Sequence, residues 1–548
     1  MNRRVADLLV ESLSIQGIDR VYSVPGESFL PVLDALINKP EIDLVTCRHE
    51  GSAGLAAVAD AKLTGRAGVF FVSRGPGAFN GGIALHVAEQ EAIPLVMFVG
   101  QVDLPSLGRG AVQEIDTARA FGGTLKWSCR IDRAERAEEL IAEAFTIAQS
   151  GTPGPVCIEL PEDVLATSAA QHSSRHYPIA LPECSLESAA HCAWLLKRAN
   201  FPILIVGGEC RTDEFRANLV RLSELWQLPV LATNKGQDQF PNTHANWVGQ
   251  QGFFPTKVLG NILEQSDLII ALGSRLGEVT SQGFAYPRQY DRPQQLVHIY
   301  PDANQIGKRF APTLAIAASS HSFVRKMLLL APGRDQDPRW QDAISAAREA
   351  TTRWKKSTIP QNDIFGHAVT AIASHLADDT IVTTDSGNFA GWVHRIFRLK
   401  PTNRLLGSAC GSMGTGVPSG MSAALRYPGR QVIAFCGDGG FLMNGNELAT
   451  AVGRNLDLKI VISNNWSYGT IRTHQQRAYP KRISGTDLFN PDFVALAEAY
   501  GAKGFLIDSA DQAPEVIRTA FSVRGPVVIE VRCDADQSLE KSIAAMFG

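Results

Sequence analysis

A Gly-Asp-Gly triplet at residues 437–439 and an Asn-Asn pair at residues 464–465 are well suited to metal chemistry. Each follows an apolar, β-branched run, at residues 430–436 and 458–463, of the kind that forms a buried strand. One carboxylate, one amide oxygen and a nearby backbone carbonyl form an oxygen-only set, which suits Mg²⁺ bound together with phosphate groups. The alternative interpretation is a glycine-rich strand end followed by an unrelated Asn-Asn turn.

The residues between the triplet and the Asn-Asn pair are numerous enough for a parallel crossover. The sequence Asn-Gly-Asn-Glu at residues 444–447 has the form of a helix start, and good helix formers follow it. We therefore predict a strand–helix–strand unit whose helix begins near Asn444. Asp438 and Asn465 would then lie at the carboxyl ends of neighbouring strands, where open α/β sheets bind ligands.

The composition is that of a multidomain globular protein: 548 residues, 45% hydrophobic and 20% charged. The formal net charge of −3 gives no reason to expect a nucleic-acid or anionic-membrane partner. No apolar stretch has membrane-spanning length, and the N-terminus leads directly into an amphipathic helix pattern. Nine isolated cysteines without zinc-site spacing predict reduced thiols in a cytoplasmic protein.

Strand-like runs alternate with helical patterns in three segments, which predicts parallel sheets covered by helices on both faces. The predicted domains cover residues 1–170, 185–335 and 360–548. A polar stretch at residues 169–182 is the predicted first linker. The charged passage at residues 333–339 is predicted to lead into a helical bridge to the third domain.

The spacing of the triplet and the Asn-Asn pair resembles the diphosphate-binding signature of thiamine diphosphate enzymes. Residues 47–54 (CRHEGSAG) and 75–80 (GPGAFN) are similar to the pyrimidine-binding domain of that family. The resemblance implies an α/β fold of three doubly wound parallel-sheet domains. The first binds the pyrimidine, the second is a central Rossmann-like domain and the third binds the diphosphate. It also implies thiamine diphosphate and Mg²⁺ as cofactors.

The resemblance assigns Glu50 to cofactor activation, because a family glutamate hydrogen-bonds the pyrimidine ring and promotes loss of the C2 proton. From the residues alone, Glu50 could instead favour the N-terminus of a helix predicted to begin near Ser52. Met413 matches an apolar wedge beneath the thiazolium ring, and Gly411 matches the residue whose carbonyl meets the pyrimidine amino group. A methionine is also an ordinary core filler.

The resemblance implies three metal ligands: the side chains of Asp438 and Asn465 and the carbonyl of Ser467. Further residues that match cofactor-binding positions of the family are Gly387, Asn388, Gly437, Gly439, Gly440, Tyr468 and Gly469. Family members place the pyrimidine domain of one subunit against the diphosphate domain of another. A homodimer or a dimer of dimers, with the active site at the subunit interface, is therefore implied.

Residues 100–102, 112–114 and 154–163 resemble the acetolactate synthases and their relatives within this family. Gln113 matches a glutamine that reaches the reacting carbonyl in carboligating members, although it could be a surface polar residue. This branch implies decarboxylation of a 2-oxo acid followed by carboligation. The alternative is a non-ligating 2-oxo acid decarboxylase or another C–C lyase. A nicotinamide dehydrogenase is disfavoured, because residues 437–442 lack the third glycine of the GxGxxG motif.

Several positions depart from the acetolactate synthase pattern. Arg275 alone remains of a stretch that helps to hold flavin, which argues against FAD, and an ADP-like ligand is equally unsupported. Thr470 and His474 replace a methionine and a tryptophan that shape the pocket for the second substrate. Glu27 and His474 are candidate acids or bases, since histidine titrates near working pH; the alternatives are a solvated carboxylate and a structural histidine.

Overall fold

The computed structural model describes residues 2–170, 176–234, 236–252, 257–333, 337–352 and 359–534. These residues form three six-stranded parallel sheets and one short antiparallel pair. The predicted fold class, three doubly wound α/β domains, is confirmed. The predicted linker at residues 169–182 lies partly outside the described residues, as does the chain end from residue 535.

The N-terminal domain contains one six-stranded sheet with helices on both faces. Its strands are β1 (Asn2–Arg4), β2 (Arg20–Ser23), β3 (Asp43–Thr46), β4 (Gly68–Ser73), β5 (Leu95–Gln101), β6 (Trp127–Arg130), β7 (Pro155–Pro161) and β8 (Ser168–Ala170). Its helices are α1 (Val5–Ile15), α2 (Leu30–Ile37), α3 (Glu50–Thr64), α4 (Arg74–Glu91), α5 (Thr117–Phe121), α6 (Ala137–Gln149) and α7 (Glu162–Ala166). The sheet order is β3-β2-β4-β5-β7-β6, while β1 pairs with β8.

The central domain has the strand order β11-β10-β9-β12-β13-β14, which is the order of a dinucleotide-binding fold. Its strands are β9 (Pro202–Val206), β10 (Val230–Ala232), β11 (Trp247–Gln250), β12 (Leu268–Leu272), β13 (Gln295–Tyr300) and β14 (Leu314–Ala317). Its helices are α8 (Leu186–Arg198), α9 (Asp213–Trp226), α10 (Lys257–Gln265) and α11 (Ser320–Met327), and α12 (Pro338–Thr352) follows as the bridge.

The C-terminal domain has the strand order β16-β15-β17-β18-β20-β19. Its strands are β15 (Ile381–Thr384), β16 (Arg404–Gly407), β17 (Val432–Gly437), β18 (Leu458–Asn464), β19 (Lys503–Ile507) and β20 (Val527–Arg532). Its helices are α13 (Ile364–Ala373), α14 (Ala390–Ile396), α15 (Gly416–Arg426), α16 (Asp438–Asn444), α17 (Leu448–Gly453), α18 (Gly469–Ala478), α19 (Phe493–Tyr500) and α20 (Ala513–Ser522).

The predicted crossover between the Gly-Asp-Gly triplet and the Asn-Asn pair is confirmed, because β17 and β18 are parallel neighbours. The predicted helix start near Asn444 is wrong. Gly437 is the extended N-cap of α16, so the helix begins at Asp438, and Asn444 is its last residue. The small residues Gly439 and Gly440 let the chain turn directly from strand to helix. Residues 445–447 form a 3₁₀ turn between α16 and α17.

The two terminal domains share one hydrophobic cluster, although the central domain separates them in sequence. Val58 and Phe70 of the N-terminal domain belong to the same cluster as Met421 and Leu458 of the C-terminal domain. Helices α3 and α15 form this contact, and Arg426 of α15 pairs with Asp60 at 2.7 Å. Among the described residues, no helix is both long and apolar enough to cross a bilayer.

Candidate active site

The carboxyl ends of β15, β17 and β18 surround a cavity of about 250 Å³. It brings together the residues predicted to bind the metal and the diphosphate, together with the predicted wedge segment. These lining residues are Gly387, Asn388, Gly411, Met413, Gly437, Asp438, Gly439, Gly440, Asn465, Ser467, Tyr468 and Gly469. The parallel arrangement explains the convergence, because the strands all end at the same edge of the sheet.

Asp438 presents a buried carboxylate at the end of β17. Its Oδ1 accepts a hydrogen bond from the Gly439 N–H at 2.8 Å, and its Oδ2 accepts one from Asn490 Nδ2 at 2.8 Å. Burial raises the pKa of Asp438, while these donors act in the opposite direction. A divalent cation would compensate the buried negative charge directly.

Asn465 and Ser467 lie beside Asp438, at the end of β18. The Asn465 side-chain oxygen accepts from the Ser467 N–H at 3.2 Å, and Trp466 between them has φ +51°, which turns the chain back on itself. The buried Ser467 Oγ has no hydrogen-bond partner among the described residues.

The donor set of this site is mixed rather than a carboxylate cluster. Within the described ranges, no group of three or more His, Cys, Asp and Glu side chains could hold a metal. One carboxylate, one amide oxygen and a carbonyl, with phosphate oxygens to complete the shell, fit Mg²⁺.

Between the two strand ends the cavity is lined by backbone rather than by side chains. A Cβ at Gly440 would lie 2.2 Å from Asp385 Oδ2, and a Cβ at Gly439 would lie 2.6 Å from the Tyr468 ring. Backbone at the first turns of α16 and α18 therefore borders the cavity, where the Gly439 N–H bonds to Asp438 Oδ1 and the Gly469 N–H to the Ser467 carbonyl. Helix N-termini bind phosphate groups through N–H groups of their first turn, so this backbone lining suits a diphosphate.

Asp385, at the end of β15, begins the segment that also carries Gly387 and Asn388, which the resemblance matched to contacts with the diphosphate. It is fully buried, and its Oδ1 accepts from the Thr415 N–H at 2.7 Å and from Thr415 Oγ1 at 3.1 Å. Its Oδ2 has no partner among the described residues, and burial raises the pKa of Asp385 to about 6. Asp385 thus anchors one end of the segment that carries Met413.

Thr470 and His474 separate in the structure. Thr470 lines the cavity, where its Oγ1 accepts from the Asn388 N–H at 3.1 Å and lies 3.1 Å from Asn388 Oδ1. His474, one turn further along α18, is exposed and does not line the cavity. The polar replacement at Thr470 therefore lines the cavity next to Asn388.

Glu50 is not at this cavity but at the first residue of α3. Its Oε2 accepts from Asn80 Nδ2 at 2.9 Å. The preceding turn is held by the C-terminal domain, because Glu447 Oε1 accepts from the Arg48 N–H at 2.8 Å. Glu447, predicted as a helix-capping acid, therefore bonds to the turn that carries Glu50 instead.

Glu27 and Gln113 are exposed residues of the N-terminal domain. Glu27 begins a single 3₁₀ turn after β2. Gln113 has φ +65°, an uncommon conformation for a residue with a side chain, and its carbonyl accepts from the Gly75 N–H at 2.8 Å. The predicted catalytic residues that do not line the cavity of their own chain are Glu27, Glu50, Gln113 and His474.

The sequence prediction missed two polar residues that support the site: Asn80 and Asn490. Asn80 lies in the quoted GPGAFN passage, so it carried a positional signal. Asn490 lies in a loop, and nothing in its sequence surroundings indicated a contact with Asp438.

Three family models match the chain in the order of its domains. They are the N-terminal TPP binding domain of thiamine pyrophosphate enzymes at residues 3–120, the central domain at 189–327 and the C-terminal TPP binding domain at 385–531. Thiamine pyrophosphate is another name for thiamine diphosphate. The central match spans the whole central sheet, while the N-terminal match ends before β6 and the C-terminal match begins just after β15.

Full-length relatives define the branch of this family. The acetolactate synthase large subunit of Parasynechococcus marenigrum is 33% identical, with 96% of this chain and 87% of that protein covered. The acetolactate synthase isozyme 1 large subunit of Escherichia coli is 30% identical, with 97% and 94% covered. The chain therefore belongs to the thiamine pyrophosphate enzyme family, in the branch of the acetolactate synthase large subunits.

Proposed function

We propose that the protein decarboxylates a 2-oxo acid with thiamine diphosphate and Mg²⁺ and joins the remaining acyl unit to a second carbonyl compound; the relatives named acetolactate synthases support this class of reaction. The observation that carries this proposal is the cavity at the ends of β17 and β18. It combines a buried carboxylate, an amide oxygen and two helix N-termini, which are the groups that a magnesium diphosphate requires.

Each lining residue has a defined task in this proposal. Asp438, Asn465 and the Ser467 carbonyl hold the metal, and the first N–H groups of α16 and α18 hold the diphosphate. Met413 and the Gly411 carbonyl position the two rings. When bound, thiamine diphosphate supplies a nucleophilic carbon that adds to the keto group and accepts the electron pair left by decarboxylation.

The reacting groups come from a second copy of the chain in this proposal. Glu50, Glu27 and Gln113 follow β3, β2 and β5, so they lie at one edge of the N-terminal sheet. Glu50 exchanges a proton with the pyrimidine ring. Gln113 orients the keto group, and Glu27 is placed to donate or accept a proton at the substrate. His474 on the exposed face of α18 is a further candidate proton carrier.

Exposed apolar side chains support assembly into a dimer. Phe79 and Ile83 of α4, near Glu50, are 63% and 40% exposed, and Leu442 and Met443 of α16, near Asp438, are 47% and 46% exposed. Large apolar residues beside two halves of one site fit a surface that a second copy covers.

Mixing inactive subunits tests the shared site. Glu50→Gln and Asp438→Ala proteins, unfolded and refolded together, should recover about a quarter of wild-type turnover, because half of the dimers are mixed and each holds one intact site. Each variant refolded alone is the control. Turnover in the mixture equal to the mean of those controls would contradict a site built from two chains.

A non-ligating 2-oxo acid decarboxylase is the second candidate function. Thr470 favours it, because a hydroxyl bonded to Asn388 replaces an apolar side chain where carboligating relatives shape the acceptor pocket. Such a protein would release an aldehyde after protonation of the acyl unit, a task for which Glu27 is placed.

We propose that the central domain works without FAD. Arg275, retained from the flavin-binding pattern, donates to the Gln90 carbonyl of the N-terminal domain. At the switch point between β9 and β12, where a dinucleotide would bind, Glu209 accepts from the Ser320 N–H at 3.0 Å. A carboxylate there repels phosphate groups, so the residues present do not fit a dinucleotide.

The proposed domain boundaries are residues 1–170, 185–335 and 360–548, supported by the separate sheet in each range. A cytoplasmic location stays a prediction, supported by nine unpaired cysteines.

The product spectrum tests the proposed reaction. Purified protein is incubated with thiamine diphosphate, Mg²⁺ and single 2-oxo acids, with and without aldehydes, and products are identified by mass spectrometry. Acetolactate from pyruvate alone supports the leading function, and free aldehyde alone supports the second. Absence of CO₂ release from every 2-oxo acid would contradict both.

A further inference from the structure

A buried ion pair of the N-terminal domain contacts the segment that carries Gly411 and Met413. Lys62 near the end of α3 and Glu91 at the end of α4 form it, with side chains only 7% and 6% exposed. Lys62 Nζ donates to the Gly407 carbonyl at 3.1 Å, and Glu91 Oε1 accepts from the Ala409 N–H at 2.7 Å. Both charged groups therefore form hydrogen bonds with backbone groups of the C-terminal domain.

The other contacts of this segment come from the remaining two domains. Asn234 of the central domain donates to the Ala409 carbonyl at 3.2 Å. Beyond Met413, the Gly414 carbonyl accepts from Asn444 Nδ2 at 2.9 Å. Side chains of the N-terminal and central domains thus hold the first end of the connection between β16 and α15. A side chain of the C-terminal domain holds its second end.

Little holds the middle of the connection in place. Gly411 is exposed, has φ +86°, and a Cβ built on it would meet no atom within 4 Å. Its carbonyl must nevertheless meet the cofactor in a defined direction. Open space lies where a side chain of Gly411 would be, so the fixed residues on either side and the hydrogen bond from the Ser412 N–H to Ser408 Oγ at 3.2 Å determine where it lies.

Stability alone is a weak reason for this ion pair. Burying two charges costs about as much solvation free energy as their attraction returns, and well-packed apolar residues often replace such pairs without loss. Here each charge also satisfies one specific backbone group of another domain. That arrangement favours a role of Lys62 and Glu91 in fixing the position of the backbone at residues 407–409.

We propose that Lys62 and Glu91 are positioning residues, which fix residues 407–409 and thereby set Gly411 and Met413 against the cofactor. The inference rests on the proposed function, in which Gly411 and Met413 contact thiamine diphosphate. In the proposed dimer, α3 then serves both sites. Its first residue, Glu50, acts on the cofactor of the partner chain, and Lys62 steadies the segment beneath the cofactor of its own chain.

A charge-swapped variant separates positioning from simple ion pairing. Lys62→Glu/Glu91→Lys keeps an ion pair but presents a carboxylate to the Gly407 carbonyl and an ammonium to the Ala409 N–H. Amide hydrogen exchange of a peptide covering residues 406–415 is measured by mass spectrometry in the cofactor-free protein. We expect exchange to accelerate at least about tenfold, because two anchoring hydrogen bonds are lost.

A second readout follows the bound cofactor without substrate. The rate of C2 proton exchange of bound thiamine diphosphate, measured by quenched-flow NMR, should fall at least about tenfold in the swapped variant, because a displaced segment misplaces the rings. The dissociation constant of the cofactor should change less than about threefold, since the metal and diphosphate contacts lie elsewhere.

The matched control is the Lys39–Glu11 pair of the same domain, with Nζ and Oε2 2.8 Å apart. Lys39→Glu/Glu11→Lys should leave both exchange rates at wild-type values. Wild-type exchange rates in the Lys62/Glu91 swap would overturn the proposal. If that swap does not fold, Lys62→Met/Glu91→Leu removes both buried charges and both anchoring hydrogen bonds. Unchanged amide exchange at residues 406–415 in this variant would equally overturn the proposal.

Failure of the proposed function gives a different result. In that case the bound cofactor of the wild-type protein would exchange its C2 proton no faster than free thiamine diphosphate, and Glu50→Gln would make no difference. The amide exchange of residues 406–415 would still report whether Lys62 and Glu91 hold the segment.

Discussion

The N-terminal and C-terminal sheets have the same strand order, 2-1-3-4-6-5 when the strands of each sheet are numbered along the chain from β2 and from β15. In both domains the third strand runs directly into a helix that begins with glycines, at α4 and at α16. No repeat is visible in residue identity. The two domains therefore share a scaffold whose likeness lies in topology alone.

The two domains differ at the carboxyl edge of the sheet. In the C-terminal domain, α16 begins beside a cavity lined by Asp438. In the N-terminal domain, a Cβ at Gly75 would lie 3.1 Å from the Gln113 carbonyl, so the loop after β5 covers the equivalent place, and Glu50 lies outside it. One copy of the scaffold borders a cavity, and the proposed function has the other present Glu50 to the cofactor of a second chain.

Removing the reactive carboxylate should have the largest effect. Glu50→Gln should lower turnover by about 10²–10⁴-fold, the usual contribution of a positioned proton-transfer group, and should leave cofactor affinity nearly unchanged. Turnover is measured as CO₂ release from the preferred 2-oxo acid, and affinity by tryptophan fluorescence. Full activity would show that the N-terminal edge does not supply the reacting group.

Removing Asp438, the proposed metal ligand, should act on cofactor binding rather than on reaction. Asp438→Ala should weaken Mg²⁺-dependent binding of thiamine diphosphate at least about a hundredfold, since loss of an outer-shell partner alone costs roughly 10–100-fold. Asn490→Ala, which removes the Nδ2 donor to Asp438, is the matched outer-shell variant. Equal affinity for thiamine diphosphate in Asp438→Ala and wild type would contradict the proposal that the C-terminal domain holds the cofactor through Asp438.

The smallest effect concerns Asp385 and the dependence of stability on pH. Because burial raises the pKa of Asp385 to about 6, the folded protein prefers the protonated carboxyl. The stability that this group contributes is complete below its ordinary pKa and is lost as pH rises to about 6. The corresponding change is at most about 3 kcal/mol for this pKa shift of roughly two units.

Asp385→Asn removes that titration and tests it. The urea midpoint of the cofactor-free variant, relative to wild type, should rise between pH 4 and pH 7. The uncharged amide of the variant has no acceptor for its N–H groups. This loss of stability is the same at both pH values, so it cancels in the comparison. A difference in midpoint that does not change with pH would show that Asp385 titrates normally.

The sequence predicted what depends on local pattern. Buried parallel strands produce apolar β-branched runs, so β17 and β18 could be recognised, and the parallel crossover placed Asp438 beside Asn465. The helix start near Asn444 was wrong because capping preferences were read from the side chain alone. Glu447 accepts hydrogen bonds from the Arg48 turn, in a domain almost 400 residues away, which no local signal records.

Contacts across domains were also outside the reach of the sequence. Lys62 and Glu91 lie on α3 and α4, yet their partners at Gly407 and Ala409 are backbone groups that carry no residue-specific signal. The exclusion of Glu50 from the cavity of its own chain is likewise a property of domain packing. Family resemblance supplied the expectation of a second subunit, and the exposed side chains of α4 and α16 give it a physical basis.

The hydrophobic cluster shared by the terminal domains has a consequence during synthesis. Helix α3 ends at Thr64, and its packing partner α15 begins at Gly416, about 350 residues later. At about 5–20 residues per second, the ribosome needs roughly 20–70 s to deliver α15 after α3. Throughout that interval the nascent N-terminal domain exposes the apolar face of α3 that α15 later covers.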